Sequence, residues 1–193
     1  MKTGIYTFEG IDIPVNVVSI HELRDLMSEE DFGQFCGRAI TLGGFWATEV
    51  TQEVIDASMS IFAEKASDDF KLGITSARLG KTICCVDEIA SKLSQVELHA
   101  ILKHEEGHVV LDHAGKAAAS VINGIIINDL FEIEADAYSV KSYGKEALRS
   151  AILKIINLQA RYCAASRTEK SQDEFFHELL TDSMLQKRLA ALA

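Results

Sequence analysis

The chain has 193 residues, of which 48% are hydrophobic and 25% charged, and it carries a formal net charge of −10. That length favours one domain able to bury a core, and the composition excludes a disordered or low-complexity chain. The acidic balance repels phosphate backbones and anionic headgroups, so neither nucleic acid nor a charged membrane surface is expected as a partner.

The N-terminus, MKTGIYTFEG, has no basic segment followed by an apolar run, so no secretory signal is expected. IYTFEG and IDIPVNVVSI are β-branched and aromatic stretches around Glu9–Gly10 and predict a hairpin. Ser19 with Glu22 forms a capping-box pattern that opens a helix over about residues 20–30. Residues 31–45, with four glycines and the run RAITL, read as loop and a short strand. From Thr51 to Phe70, Val54, Ile55, Ser58, Ile61 and Phe62 recur at helical spacing and predict an amphipathic helix. KTICCVDE reads as a strand, with Cys84 and Cys85 on opposite sides.

A second capping box, Ser94 with Glu97, starts a helix that carries HEEGH and runs to about His113. VINGIIIN follows as a helix end or a buried turn. Its apolar run, Val121 to Asn128, is too short to cross a bilayer. Asp129 with Glu132 resembles a third capping box, opening a helix to about Tyr143 that Gly144 breaks. ALRSAILKIINLQARYCA continues as another helix, and residues 172–191 as a last one. The pattern predicts an α+β fold: a helix-rich domain with a small β-sheet. It reads as one domain over 1–193, with an N-terminal hairpin and helices over 1–75, a metal-binding core over 80–150 and C-terminal helices over 151–193.

Cys36, Cys84, Cys85 and Cys163 form no C-x-x-C pair. They read as buried thiols of a reducing compartment, which makes a cytoplasmic location the expectation.

HEEGH, residues 104–108, is where the chemistry concentrates. At 100° per residue, His104 and His108 lie about 40° apart on one helix face, one turn apart, so both imidazoles can reach one ion. Glu105 stands about 100° from His104, beside that face, where it can hold a water without becoming a ligand. This is the mechanical reason for H-E-x-x-H in zinc hydrolases. With six histidines and seventeen glutamates, roughly 0.02 copies of the pattern are expected by chance. His21–Glu22 and His177–Glu178 are the plain alternative: Asp25 and Thr181 stand where a second histidine would be needed. Gly107 costs about 1 kcal/mol in a helix interior, which a close crossing by another element would explain.

Catalytic zinc ordinarily takes three protein ligands. The longer pattern H-E-x-x-H-x-x-G-x-x-H fails here, because Leu111 and Ala114 occupy its last two positions and His113 comes one residue early. In an unbroken helix His113 points about 140° from His108, so it reads as a surface residue or a support for a ligand. The better third donor is in EIEADAY, residues 132–138. Glu132 and Asp136 share a helix face, so Glu132 can ligate while Asp136 reaches the second ring nitrogen of a ligand histidine. Glu134 is rotated away and reads as solvated. An ordinary acidic helix face is the alternative for this stretch taken alone.

ELHAILKHEEGHVVLDH followed by EIEADAYSVKSYGKEAL resembles the HtpX-like gluzincin peptidases, a family that includes the CAAX prenyl endopeptidases. The likeness covers about residues 80–150. It implies a zincin-like domain with His104, His108 and Glu132 holding one Zn2+, Glu105 as catalytic base and Asp136 as support. It also implies that the strand Thr82 to Val86 rims the cleft and receives an extended substrate by strand addition. Members of the family often carry a His-Pro step before an R-[IL]-x-x-L ending. This chain ends SMLQKRLAAL, with Asp182 and Ser183 at the His-Pro position. Tyr138, Tyr143, Arg149 and His177 are therefore the candidates for oxyanion or substrate binding.

The expected function is a zinc metalloendopeptidase acting on protein or peptide, with no membrane span and with the oligomeric state left open. The alternative is a silent or latent relative that keeps the metal site and binds without turnover. In the latent form residues 1–50 cover the cleft until a partner displaces them; Cys36 reads as a core thiol in preference to a cap on the zinc. Purely structural zinc is disfavoured, because such sites take four ligands and prefer cysteine.

Overall fold

A computed structural model describes residues 4–24, 28–29, 32–33, 43–49, 81–113, 116, 128–166 and 171–193. The helix expected over 51–70, the segment VINGIIIN up to residue 127, and Cys36 lie outside the described residues. The chain falls into two compact units, Met1–Lys92 and Leu93–Ala193.

In the first unit, β1 (Gly4–Tyr6) and β2 (Val15–Val18) pair antiparallel, the hairpin that the sequence predicts. With β3 (Phe45–Glu49) and β4 (Lys81–Val86) they make a four-stranded sheet of order β1-β2-β4-β3. Helix α1 (Ile20–Arg24) starts at the predicted cap, where Ser19 Oγ accepts from the Glu22 N–H at 3.5 Å. The same hydroxyl donates to Glu88 Oε1 at 2.8 Å, tying α1 to the short helix α2 (Asp87–Ala90).

β4 is buried from Thr82 to Val86, so apolar and small residues run continuously along it instead of alternating. Burial and the neighbouring Cys84 and Asp87 push the Cys85 thiol up to about 12, which leaves it an inert core group. The position of β4 corrects one expectation. It pairs with β2 on one side, parallel, and with β3 on the other, antiparallel. Both of its hydrogen-bonding edges are taken by this chain, so residues 82–86 cannot receive a substrate strand. Among the described residues the outer strands of the sheet are β1 and β3.

The second unit is helical: α3 (Gln95–Val110), α4 (Asn128–Tyr143), α5 (Lys145–Ser166), α6 (Gln172–Leu180) and α7 (Ser183–Ala191). Together with the small sheet this is the helix-rich α+β architecture the sequence predicts. α3, α4 and α5 pack on one another around Ala100, Leu102, Ala135, Leu148 and Ala151, all fully buried. The Ser94–Glu97 box is formed, and the Glu97 carboxylate does more than cap. It accepts from the Ser94 N–H at 2.7 Å, from Ser150 Oγ at 2.6 Å and from Lys154 Nζ at 2.7 Å, which fastens the first turn of α3 to α5.

Three boundaries differ from the sequence reading. α3 ends at Val110, before His113. α4 begins at Asn128, which makes Asp129 a helical residue, and the Glu132 side chain turns toward the imidazoles of α3 instead of closing a capping box. The single helix expected over 172–191 is two, because Asp182 leaves the helical path and accepts the Leu185 N–H at 2.8 Å, capping α7. Gly144 breaks α4 from α5 as expected, with a φ of 80° that a side chain would disfavour.

Candidate metal centre

α3 carries the first two donors. Its HEEGH turn is helical throughout, so His104 and His108 project together, with their Nε2 atoms 3.1 Å apart. α4 carries the third. Glu132 places Oε2 3.4 Å from His104 Nε2 and Oε1 3.4 Å from His108 Nε2. The three residues offer ligand atoms that all lie within 4.8 Å of one another.

Gly107 is what lets the two helices approach so closely. A Cβ there would lie 3.2 Å from the Ala135 Cα and 3.2 Å from the Tyr138 Cβ. The close crossing that the mid-helix glycine suggested is therefore α4 lying against α3. One turn along α4, Ser139 Oγ donates to the Ala100 carbonyl at 2.6 Å and fixes the same pair of helices at their other end.

Each imidazole is held from behind. Asp136, one turn after Glu132, sets Oδ1 2.9 Å from His104 Nδ1. Behind His108 stands His113, with Nδ1 to Nδ1 at 2.9 Å, and His113 Nε2 reaches Glu134 Oε2 at 3.1 Å. His113 is 4% exposed and stacks on the Phe131 ring at 4.6 Å. Of the two roles open to His113, surface residue or support for a ligand, the structure takes the second, and Glu134, read as solvated, is 40% exposed and is the carboxylate that holds it. The cause is local. α3 stops at Val110 and Asp112 takes a φ of 53°, so His113 swings back toward α4 rather than continuing around the helix.

Arg188 of α7 closes the cluster. Its Nε and Nη2 donate to the two Asp136 oxygens at 2.8 and 2.7 Å, while Nη1 lies 2.8 Å from Glu132 Oε2. The sequence reading noted the R-L-x-x-L ending but gave this arginine no role. The available signal was an arginine, preceded by Lys187, in the R-L-x-x-L spacing that the resemblance marks.

The charges are strongly coupled. Burial works against a charged His104, yet Asp136 and Glu132 outweigh it and lift the imidazole to about 9. Burial likewise opposes ionised Glu132, but His104, His108 and Arg188 hold that carboxyl far below the usual carboxylate range. Asp136 is lowered against its burial by His104 and Arg188.

Glu105 is half-buried beside this face, and its charge is felt by both His104 and Arg188. Four residues are the candidates for oxyanion or substrate binding. Tyr138 directs its hydroxyl to Glu106 at 3.4 Å, and Glu106 lies about 200° around α3 from His104. Tyr143 packs edge-to-face on His99, 5.8 Å between centroids, more than a turn before His104. Arg149 and His177 are exposed on α5 and α6.

The donor set fits zinc. Ligand atoms about 2.0–2.1 Å from a tetrahedral zinc lie about 3.3 Å from one another, against the 3.1, 3.4 and 3.4 Å found here. Two imidazole nitrogens and a carboxylate, each imidazole supported through its other nitrogen, are the donors of a metallohydrolase. The model of peptidase family M48 matches residues 55–193, well over half of the chain, and the chain belongs to that family. Membership supports metalloprotease function and peptide substrates. No curated protein and no solved structure matches the chain. Among the described residues no helix is long and apolar enough to cross a membrane.

Proposed function

We propose that the chain is a zinc-dependent metalloendopeptidase of the gluzincin type. His104, His108 and Glu132 would hold one Zn2+, with Asp136 and His113 orienting the two imidazoles. The observation that carries this reading is the spacing of the three donors, which matches the edges of a zinc tetrahedron, with no fourth ligand among the described residues. When bound, zinc acidifies a water molecule and polarises a peptide carbonyl.

The chain's own residues do the rest. Glu105, one residue along from His104 and half-buried, takes the proton of the attacking water and delivers it to the leaving amine. Asp136 keeps the His104 Nδ1 proton in place, so that Nε2 presents its lone pair to the ion. His113 does the same for His108, anchored in turn by Glu134. Zinc coordinated this way is catalytic rather than structural, because the described donors number three and none is cysteine. A cytoplasmic location fits the buried cysteines Cys84 and Cys85.

The test is Glu105→Gln assayed on an unfolded protein substrate, with and without chelator. The variant should retain its zinc and lose about 10²–10⁴-fold in kcat. Proteolysis at the wild-type rate in that variant removes Glu105 as the base, and cleavage that survives complete chelation removes the metal from the mechanism.

A further inference from the structure

We infer that Arg188 is a positioning residue for the metal centre, and that it links zinc binding to the docking of the C-terminal helix α7. The inference rests on the metal-site reading above and extends it to a residue some fifty positions from any ligand.

Arg188 is only 13% exposed along its side chain, and its guanidinium makes three polar contacts to the centre. The planar fork of Nε and Nη2 grips both oxygens of Asp136 and so fixes the plane of that carboxylate. Asp136 Oδ1 is the same atom that faces His104 Nδ1, so its plane sets the angle of the His104 ring. The third nitrogen, Nη1, holds Glu132 Oε2, the oxygen that faces His104 Nε2. One guanidinium thus aligns a ligand carboxylate and the support of a ligand imidazole at once. Lysine offers a point charge without a fork and cannot hold both.

The same bonds are what fasten α7. None of residues 183–191 is fully buried, and the apolar anchor of this end of the chain is Leu192, just past the helix. A helix so lightly packed depends on its buried arginine. When an ion organises Glu132 and Asp136, it organises the acceptors of Arg188 as well. Linkage then requires reciprocity: zinc favours the docked α7, and docked α7 favours zinc, by the same factor.

The experiment measures two quantities on the full chain. Zinc affinity is read by competition with a chromophoric chelator, and amide exchange of residues 183–191 is read with and without zinc, for wild type, Arg188→Ala and Arg188→Lys. Zinc should slow exchange in α7 of the wild type. Arg188→Ala should weaken zinc about 10–100-fold and remove the zinc dependence of α7 exchange, with helix content unchanged. Arg188→Lys should fall between the two and keep the fold. If either variant that folds binds zinc within about twofold of wild type, or if α7 of the wild type exchanges at one rate with and without zinc, the inference is overturned. A wild-type chain that binds no zinc overturns the metal-site reading itself, and this inference with it.

Discussion

Helix α3 buries a polar cluster at each end, and the two are built differently. At its first turn Glu97 is surrounded by donors only: the Ser94 N–H and hydroxyl, the Ser150 hydroxyl and the Lys154 ammonium. Every partner suits an ionised carboxylate, and the cluster is complete without anything from outside. Two and a half turns later, His104 and His108 bring Nε2 atoms to 3.1 Å, and a carboxylate faces both. Three lone-pair-bearing groups converge there, held in place from behind by Asp136, His113 and Arg188. The first arrangement stabilises the fold. The second brings two imidazole nitrogens and a carboxylate to within 3.4 Å of one another, a group that could hold a metal ion. A buried polar group therefore signals function when its neighbours compete for the same kind of partner, and structure when they complement it.

The contrast breaks most visibly at Glu132. Glu132→Ala should cost zinc affinity by more than about 100-fold, exceeding what the loss of a supporting residue does, while the metal-free chain stays folded. Equilibrium dialysis against zinc checks the first part and circular dichroism the second.

Glu97→Gln should behave in the opposite way. Burial opposes the ionised Glu97, but Lys154, Ser150 and Ser94 outweigh it and hold the carboxyl at about 2, against 4.5 for the ordinary group. Its folded-state pKa is depressed, so its contribution to stability is present above about pH 4.5 and is lost as pH falls toward 2. The substitution should cost on the order of 2 kcal/mol in urea unfolding at pH 7 and much less at pH 2.5, with zinc affinity unchanged. A variant that loses zinc and keeps its stability would erase the distinction between the two clusters.

His113→Ala sharpens the comparison from inside the second cluster. It removes the group behind His108 and leaves the three donors in place. Zinc should weaken about tenfold, the lower end of the range for a supporting residue. Glu134→Gln should do less, because it acts only through His113.

Much of this was legible in the sequence where the signal is local. The Ser94-x-x-Glu97 pair marked the start of α3 to the residue, and the helical angle between positions 104 and 108 required the two imidazoles to share a face. The meeting of Glu132 with them could be read because HEEGH and EIEADAY each commit to one helix face, and Gly107 advertised the close crossing. What stayed hidden depended on a departure from regular geometry or on distance. Which of its two roles His113 takes, and that Glu134 is its partner, could not be read because the angle of an unbroken helix does not apply beyond Val110, where Asp112 turns left-handed. Residues 172–191 read as one helix because apolar spacing continues across the Thr181–Asp182 break. Nothing near Arg188 in the sequence tells that its partners lie on α4. β4 read correctly as a strand, but its place between β2 and β3 is a property of the sheet order and not of KTICCV.

Whether two imidazoles and one carboxylate share a single cation is read by X-ray absorption at the zinc edge of the loaded chain. The expected spectrum shows one zinc per chain with only nitrogen and oxygen neighbours at about 2.0–2.1 Å and the outer-shell pattern of two imidazoles, the latter reduced to one in His108→Ala. A sulfur shell at about 2.3 Å, or a spectrum that His108→Ala leaves unchanged, would contradict it.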